Sequence, residues 1–328
     1  MHTASSNKTV DVTPLFQAAG IPTSPLTVIE TAGMYPYKAK VEDNWAYYTA
    51  VGCKRFKELL DAEKKNVCDI GIVGICSGVE GIAIAKIFSG TLRRLIVTDV
   101  DEEILEGTVV NINRAMVEET TTVIPLVGSF CEPIEHAGYT VDFVHANVPN
   151  LPAGGEENLS RGAEKGTFIP STFYETYSPP QEFVSWALAA QWAYLQSARR
   201  VVPKGGSVLT ELGGRVPLEL VRKLFDECKL AFSELIVGFK EQTEALIDFE
   251  GYHRLEKEHG VAFEFYPYEQ GRKLLKRNGI SNPTFKVSGE EIKKLLASQK
   301  VSAGEALALH KKGVPVGHTV HLFRGVKE

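Results

Sequence analysis

Between residues 67 and 146 short apolar runs alternate with amphipathic stretches, the trace that a parallel sheet built from βαβ units leaves in a chain. Residues 67–75 predict a strand running into a glycine turn, and 80–89 the helix after it. A second strand follows at 94–98 with Asp99 just past its end, then a helix at 102–116, a third strand at 122–127 and a fourth at 141–146. Residues 183–200 predict one long helix, and the turn Pro203-Lys204-Gly205-Gly206 leads into a fifth strand at 207–211. A helix at 216–228 and a strand at 233–239 continue the rhythm. Residues 240–315 break it with mixed short segments, and β-like alternation returns at 318–325 as the expected last member of the sheet.

Two stretches lack that rhythm. Residues 26–62 are rich in aromatics (Tyr35, Tyr37, Trp45, Tyr47, Tyr48), and a helix is expected over 45–65. Residues 150–180 form a long loop with Gly, Pro, Ser and four aromatics. A connection of that length in a compact domain is usually functional. Residues 1–14 are polar and rich in Ser and Thr, without the apolar core of a signal peptide, and predict a frayed tail.

Composition narrows the classes. The chain has 328 residues, 44% hydrophobic and 23% charged, as expected of a globular protein. A net charge of -5 gives no general attraction to nucleic acid, so a nucleic-acid partner is not expected. The basic run Arg272, Lys273, Lys276 and Arg277 predicts a solvated helix face. Five scattered cysteines (Cys53, Cys68, Cys76, Cys131, Cys228) form no CxxC pair and no cluster at metal spacing. They suggest reduced thiols in a cytoplasmic protein, and no metal is expected. No apolar run is long enough to span a membrane. A homodimer stays open.

The candidate chemistry lies at predicted strand ends, where ligands sit in doubly wound α/β proteins. Gly74-Ile75-Cys76-Ser77-Gly78-Val79-Glu80-Gly81 joins the first strand to its helix, and Asp99 ends the second strand about twenty residues on. A glycine turn and a following acid suit a nucleoside cofactor, and both a nicotinamide dinucleotide and S-adenosylmethionine meet that requirement. The spacing GxxxGxxG departs from the dinucleotide GxGxxG. Asn147, in Asn147-Val148-Pro149-Asn150, ends the fourth strand. An amide oxygen there can accept a hydrogen bond from a substrate nitrogen and aim its lone pair. Such a group, like the glycine turn before the fifth strand, has a role in methyl transfer and none in hydride transfer.

These segments resemble, in order, those of class I S-adenosylmethionine-dependent methyltransferases, and within them the branch with an Asn-Pro-Pro-Tyr motif, the release-factor glutamine methyltransferases. The loop with Gly74, Cys76, Gly78 and Gly81 resembles the methionine-binding turn. Asp99 and Val100, followed by Asn111, resemble the ribose-binding acid and its helix. Ser129 and Phe130, in Val127-Gly128-Ser129-Phe130-Cys131-Glu132-Pro133, resemble the adenine-side loop. Asn147, Val148 and Pro149 resemble the catalytic motif. The likeness covers about residues 67–214. Cys76 replaces a central glycine, Ile72 the acid before the loop, Ser129 an aspartate, Val148 the first motif proline and Asn150 its aromatic.

The resemblance implies an α/β fold: a Rossmann-like, doubly wound, seven-stranded and mostly parallel sheet with a C-terminal antiparallel strand. The expected division is a tail and helical lid at 1–65, the cofactor-binding domain at 66–240, an inserted cap at 241–315 and the last strand at 316–328. The implied activity is methylation of a nitrogen of a small metabolite, with protein-glutamine methylation and a nicotinamide-dependent oxidoreductase as alternatives. Asn147 and the Val148 carbonyl would hold the acceptor. Tyr35, Tyr37, Tyr174, Tyr177 and Glu211 are the expected substrate contacts, and His145 is expected to be a packed core histidine.

Overall fold

The computed structural model describes residues 7–116 and 121–328. Its centre is a sheet of β3 (Asp69–Val73), β4 (Arg94–Asp99), β5 (Thr122–Val127), β6 (Phe143–Ala146), β7 (Ser207–Gly213), β8 (Leu230–Glu241) and β9 (Val316–Lys327). The order is β8-β9-β7-β6-β3-β4-β5. The five strands from β7 to β5 are parallel, and β9 runs antiparallel between β7 and β8. To the expected seven strands is added a two-residue strand, Tyr266–Pro267, on the open end of β9. Strands β3 and β6 are buried along their whole length, as a parallel sheet covered on both faces requires. Strand β5 is an edge, which accommodates Pro125 and its missing N–H.

Alternation along the strands divides the core. Ile70, Ile72 and Phe143 face one layer with helices α1 (Trp45–Ala62), α2 (Val79–Phe88) and α3 (Glu102–Ala115). Val73, Val144 and Ala146 face the other, with α4 (Ala189–Val201) and α5 (Leu218–Glu227). The block between β8 and β9 folds as α6 (Ala245–His259), α7 (Tyr268–Arg277), α8 (Gly289–Leu296) and α9 (Ala303–Lys311). Capping boxes start α8 at Ser288/Glu291 and α9 at Ser302/Glu305.

Three expectations change. Of the stretch predicted to fray, residues 1–6 lie outside the described residues, whereas β1 (Lys8–Asp11) pairs with β2 (Thr27–Glu30). Asn111 of α3 ties that hairpin down by accepting from the Ile29 N–H and donating to the Ile29 and Ser77 carbonyls, at 2.8, 2.8 and 3.0 Å. The single helix expected over 183–200 is two, Gln181–Ser185 and α4, parted at Ala187, whose φ is +55°. The break brings Phe183 back onto Trp192, ring centroids 5.4 Å apart. The long loop carries its own structure, a parallel pairing of Leu151–Pro152 with Phe168–Ile169. Among the described residues no helix is long and apolar enough to cross a membrane, and all five cysteines are free.

Candidate active site

A cavity of about 490 Å³ opens at the carboxyl ends of β3, β4, β6 and β7, within the usual range for a small-molecule site. One half is built on the glycine turn. Gly74 has φ +66°, and a Cβ there would meet only open space, so its backbone faces the cavity unobstructed. Cys76, at φ +50°, lines the wall with its thiol accepting from the Tyr35 N–H at 3.1 Å. Burial pushes that thiol up to about 12, so it stays protonated. Gly78 and Gly81 do not line the cavity. A Cβ on Gly78 would meet Thr108 at 3.0 Å and one on Gly81 would meet Ile75 at 2.8 Å, so both serve turn and helix packing.

Asp99 lines the same half together with Val100, Ser129 and Phe130. Its two oxygens each accept one backbone N–H, from Cys76 at 3.3 Å and from Asp101 at 3.1 Å. Each oxygen keeps a lone pair for a further donor. Burial holds this carboxyl above its ordinary value, outweighing the two backbone N–H groups and the Lys165 charge that pull it down.

Asn147, Val148 and Pro149 line the floor between the halves, beside Glu80 of the first turn of α2. Asn147 Nδ2 donates to Glu80 Oε1 in a long contact of 3.4 Å. A carboxylate only accepts, so the amide must turn its NH₂ toward Glu80, which leaves its carbonyl oxygen for a ligand donor. His145 is fully buried as expected, its Nε2 3.1 Å from Glu80 Oε2. Glu211 is corrected: two residues beyond Leu209, the register partner of His145, it points beneath the floor and does not line the cavity. It is 1% exposed and accepts from Thr49 Oγ1. Burial and then the neighbouring Glu80 charge hold its carboxyl well above the usual range.

No metal cluster was expected from sequence spacing, yet the fold brings Glu80, His145 and Glu211 together, with ligand-type atoms all within 4.8 Å of one another. A proton on Glu211 accounts for this closeness without a cation, because two like charges so near would not both stay ionised in a buried site.

The other half is walled by Tyr35, Tyr37, Trp45, Phe173, Arg215, Gln242, Asp248 and Tyr252. Tyr35 and Tyr37 thus stand where substrate contact was expected. Tyr174 and Tyr177 do not line it: Tyr174 packs into the core, and Tyr177 donates its hydroxyl to Glu132 at 2.8 Å. Their places are taken by Trp45, from the aromatic stretch, and by Arg215, Asp248 and Tyr252, which the sequence did not mark. The one local signal was Gly213-Gly214-Arg215 at the end of β7.

No family model matches the chain, and no curated protein matches it. Solved structures do. The YcgJ protein of Bacillus subtilis is 12% identical over 84% of this chain and 98% of its own, with a TM-score of 0.40. Precorrin-8w decarboxylase of Methanobacterium thermoautotrophicum is 12% identical over 90% and 96%, with a TM-score of 0.37. Phosphoethanolamine N-methyltransferase 2 of Haemonchus contortus, solved with phosphomonomethylethanolamine and S-adenosylhomocysteine, is 12% identical over 84% and 52%, with a TM-score of 0.37. TM-scores below 0.5 carry no argument about this chain, and function rests on the cavity itself.

Proposed function

We propose that the protein is a methyltransferase that uses S-adenosylmethionine to methylate a nitrogen of a small molecule. The observation that carries this is a single cavity holding the Gly74 turn, Asp99 with two spare acceptor sites, and an asparagine whose carbonyl is kept free by Glu80. When bound, the cofactor supplies a methyl group on a sulfonium centre. Asp99 suits a pair of ribose hydroxyls, and Val100 and Phe130 an adenine face beside Ser129. Asn147 Oδ1 and the Val148 carbonyl accept the N–H groups of an amine, amide or guanidine and hold its lone pair toward the turn. Alignment of this kind supplies much of the rate in a reaction that needs no strong base. Walls from two lid segments favour a small molecule over a protein glutamine.

Calorimetry with S-adenosylhomocysteine and with NAD tests the cofactor. Heat with the former and none with the latter is expected, and the reverse would move the assignment to the oxidoreductase reading. Once an acceptor is found with labelled donor, Asn147→Ala is expected to lower kcat on the order of a hundredfold with cofactor affinity nearly unchanged. An equal loss of both would make Asn147 structural.

A further inference from the structure

Arg215 is 4% exposed, lines the cavity, and among the described residues has no carboxylate within ion-pair distance. Its donors meet neutral acceptors only. Nε and Nη2 reach Gln242 Oε1 at 3.2 and 2.7 Å, Nη2 also reaches His318 Nε2 at 3.0 Å, and Nη1 reaches the Tyr252 hydroxyl at 3.3 Å. His318 is neutral, because its Nδ1–H donates to the Thr319 carbonyl at 2.7 Å and burial beside Arg215 and Lys240 holds its pKa well below the usual value. One Nη1 hydrogen is left over. The guanidinium sits 5.8 Å from the Trp45 ring centre and 5.1 Å from that of Tyr252.

The site is built for this cation. A Cβ on Gly213 would lie 2.1 Å from Arg215 Nη1, so only glycine leaves the room. Lys240 adds a second buried cation, 4.8 Å from the Trp45 ring centre. Asp248, an acid on the same wall, accepts from Gln242 Nε2 at 2.6 Å and makes no ion pair with Arg215. A guanidinium this buried with no carboxylate beside it is costly unless a ligand neutralises it.

We infer that the methyl acceptor carries a carboxylate, received by Arg215 between the rings of Trp45 and Tyr252. A planar carboxylate matches the one free Nη1 hydrogen and the flat aromatic flanks. Arg215 follows β7 and Asn147 follows β6, neighbouring strands about 5 Å apart. The acceptor is therefore a small carboxylic acid whose nitrogen lies a short span from its carboxylate. This rests on the reading of the cavity as the methyl-transfer site.

The test titrates the full-length protein, with and without S-adenosylhomocysteine, against benzoate and benzamide and against 4-aminobenzoate and 4-aminobenzamide. The carboxylates are expected to bind at least tenfold more tightly than their amides, and Arg215→Gln to abolish the difference. Gly213→Ala, which displaces the guanidinium without removing it, is expected to weaken carboxylate binding and serves if Arg215→Gln fails to fold. Circular dichroism checks the fold of both. No carboxylate binding, equal binding of acid and amide, or an unchanged preference in folded Arg215→Gln would overturn the inference. Arg215-dependent carboxylate binding without S-adenosylhomocysteine binding would instead leave this subsite standing and remove the cofactor reading.

Discussion

At the scale of single residues the floor beneath Asn147 makes a prediction about pH. Glu211 has a folded-state pKa well above 4.5, through burial and the Glu80 charge. A raised acid binds its proton more tightly in the folded state, so its contribution to stability falls as pH rises from the unfolded pKa through the folded one. Asp248, raised to about 6 by burial, gives a similar slope lower down. The buried His318 and His321 give the opposite slope up to their ordinary value near 6.5, and Lys240, lowered to about 8, gives the opposite slope above that. The useful window therefore lies between about pH 7 and 8. There wild type is expected to lose stability with rising pH, by at most about 1.4 kcal/mol per unit from this group. Glu211→Gln is expected to flatten that slope, and EDTA to change neither protein. Denaturant unfolding at several pH values reads it out; parallel slopes, or an EDTA effect on wild type alone, would put a bound cation in place of the proton. Asn147, Asp99 and Gly74 were legible in the sequence because each sits in a contiguous segment at a strand end. Arg215 was not, since its partners Gln242 and His318 lie 27 and 103 residues away. Glu80 stood inside the glycine turn, but only the fold shows it against Asn147 and His145.

Among elements, α1 is the one whose seat depends most visibly on one small residue. Gly52 lies mid-helix, and a Cβ there would meet Leu322 Cδ2 at 2.4 Å, Leu322 Cβ at 3.0 Å and Ile236 Cγ1 at 3.3 Å, on β9 and β8. Helix propensity favours alanine over glycine by about 1 kcal/mol, whereas overpacking a dense core costs about 1–3 kcal/mol. Packing wins, because Leu322 is fully buried. Gly52→Ala is expected to lower the denaturant midpoint, and Leu322→Ala combined with it to recover part of the loss seen with Leu322→Ala alone. Strict additivity of the two changes would show that the helix shifts instead. The strands and helices around this seat were predictable because alternation and helical spacing are local. The kink at Ala187 and the pairing inside residues 150–180 were not, since both answer to tertiary packing: Phe183 folded back on Trp192, and Leu151 beneath the distant Gly251, where a Cβ would come within 2.6 Å.

For the whole molecule the question is what closes the cavity. Two segments from opposite sides of the glycine turn meet over it, the stretch around Tyr35 and the loop that carries Gly162. Gly162 donates its N–H to the Ala32 carbonyl at 3.0 Å, and a Cβ on it would fall 1.8 Å from the Met34 carbonyl oxygen. A Cβ on Gly166 would fall 2.5 Å from the Tyr35 ring. Lys165 pairs with Asp101 beyond β4, and Lys38 with Glu244 beside α6, so each segment is also moored to the sheet or the cap. The two therefore meet at two glycines, one against the backbone of the buried Met34 and one against the Tyr35 ring. Gly162→Ala must push them apart while leaving both core layers intact. Its overpacking cost of about 1–3 kcal/mol then falls on the closed state, which corresponds to ligand affinity weakened roughly five- to a hundredfold. Amide exchange supplies the structural check: residues 31–36 and 159–167 are expected to exchange faster in Gly162→Ala, with β3 and β6 unchanged, and S-adenosylhomocysteine to slow both segments in wild type. Faster exchange throughout the sheet would show that Gly162 supports the fold and not the closure.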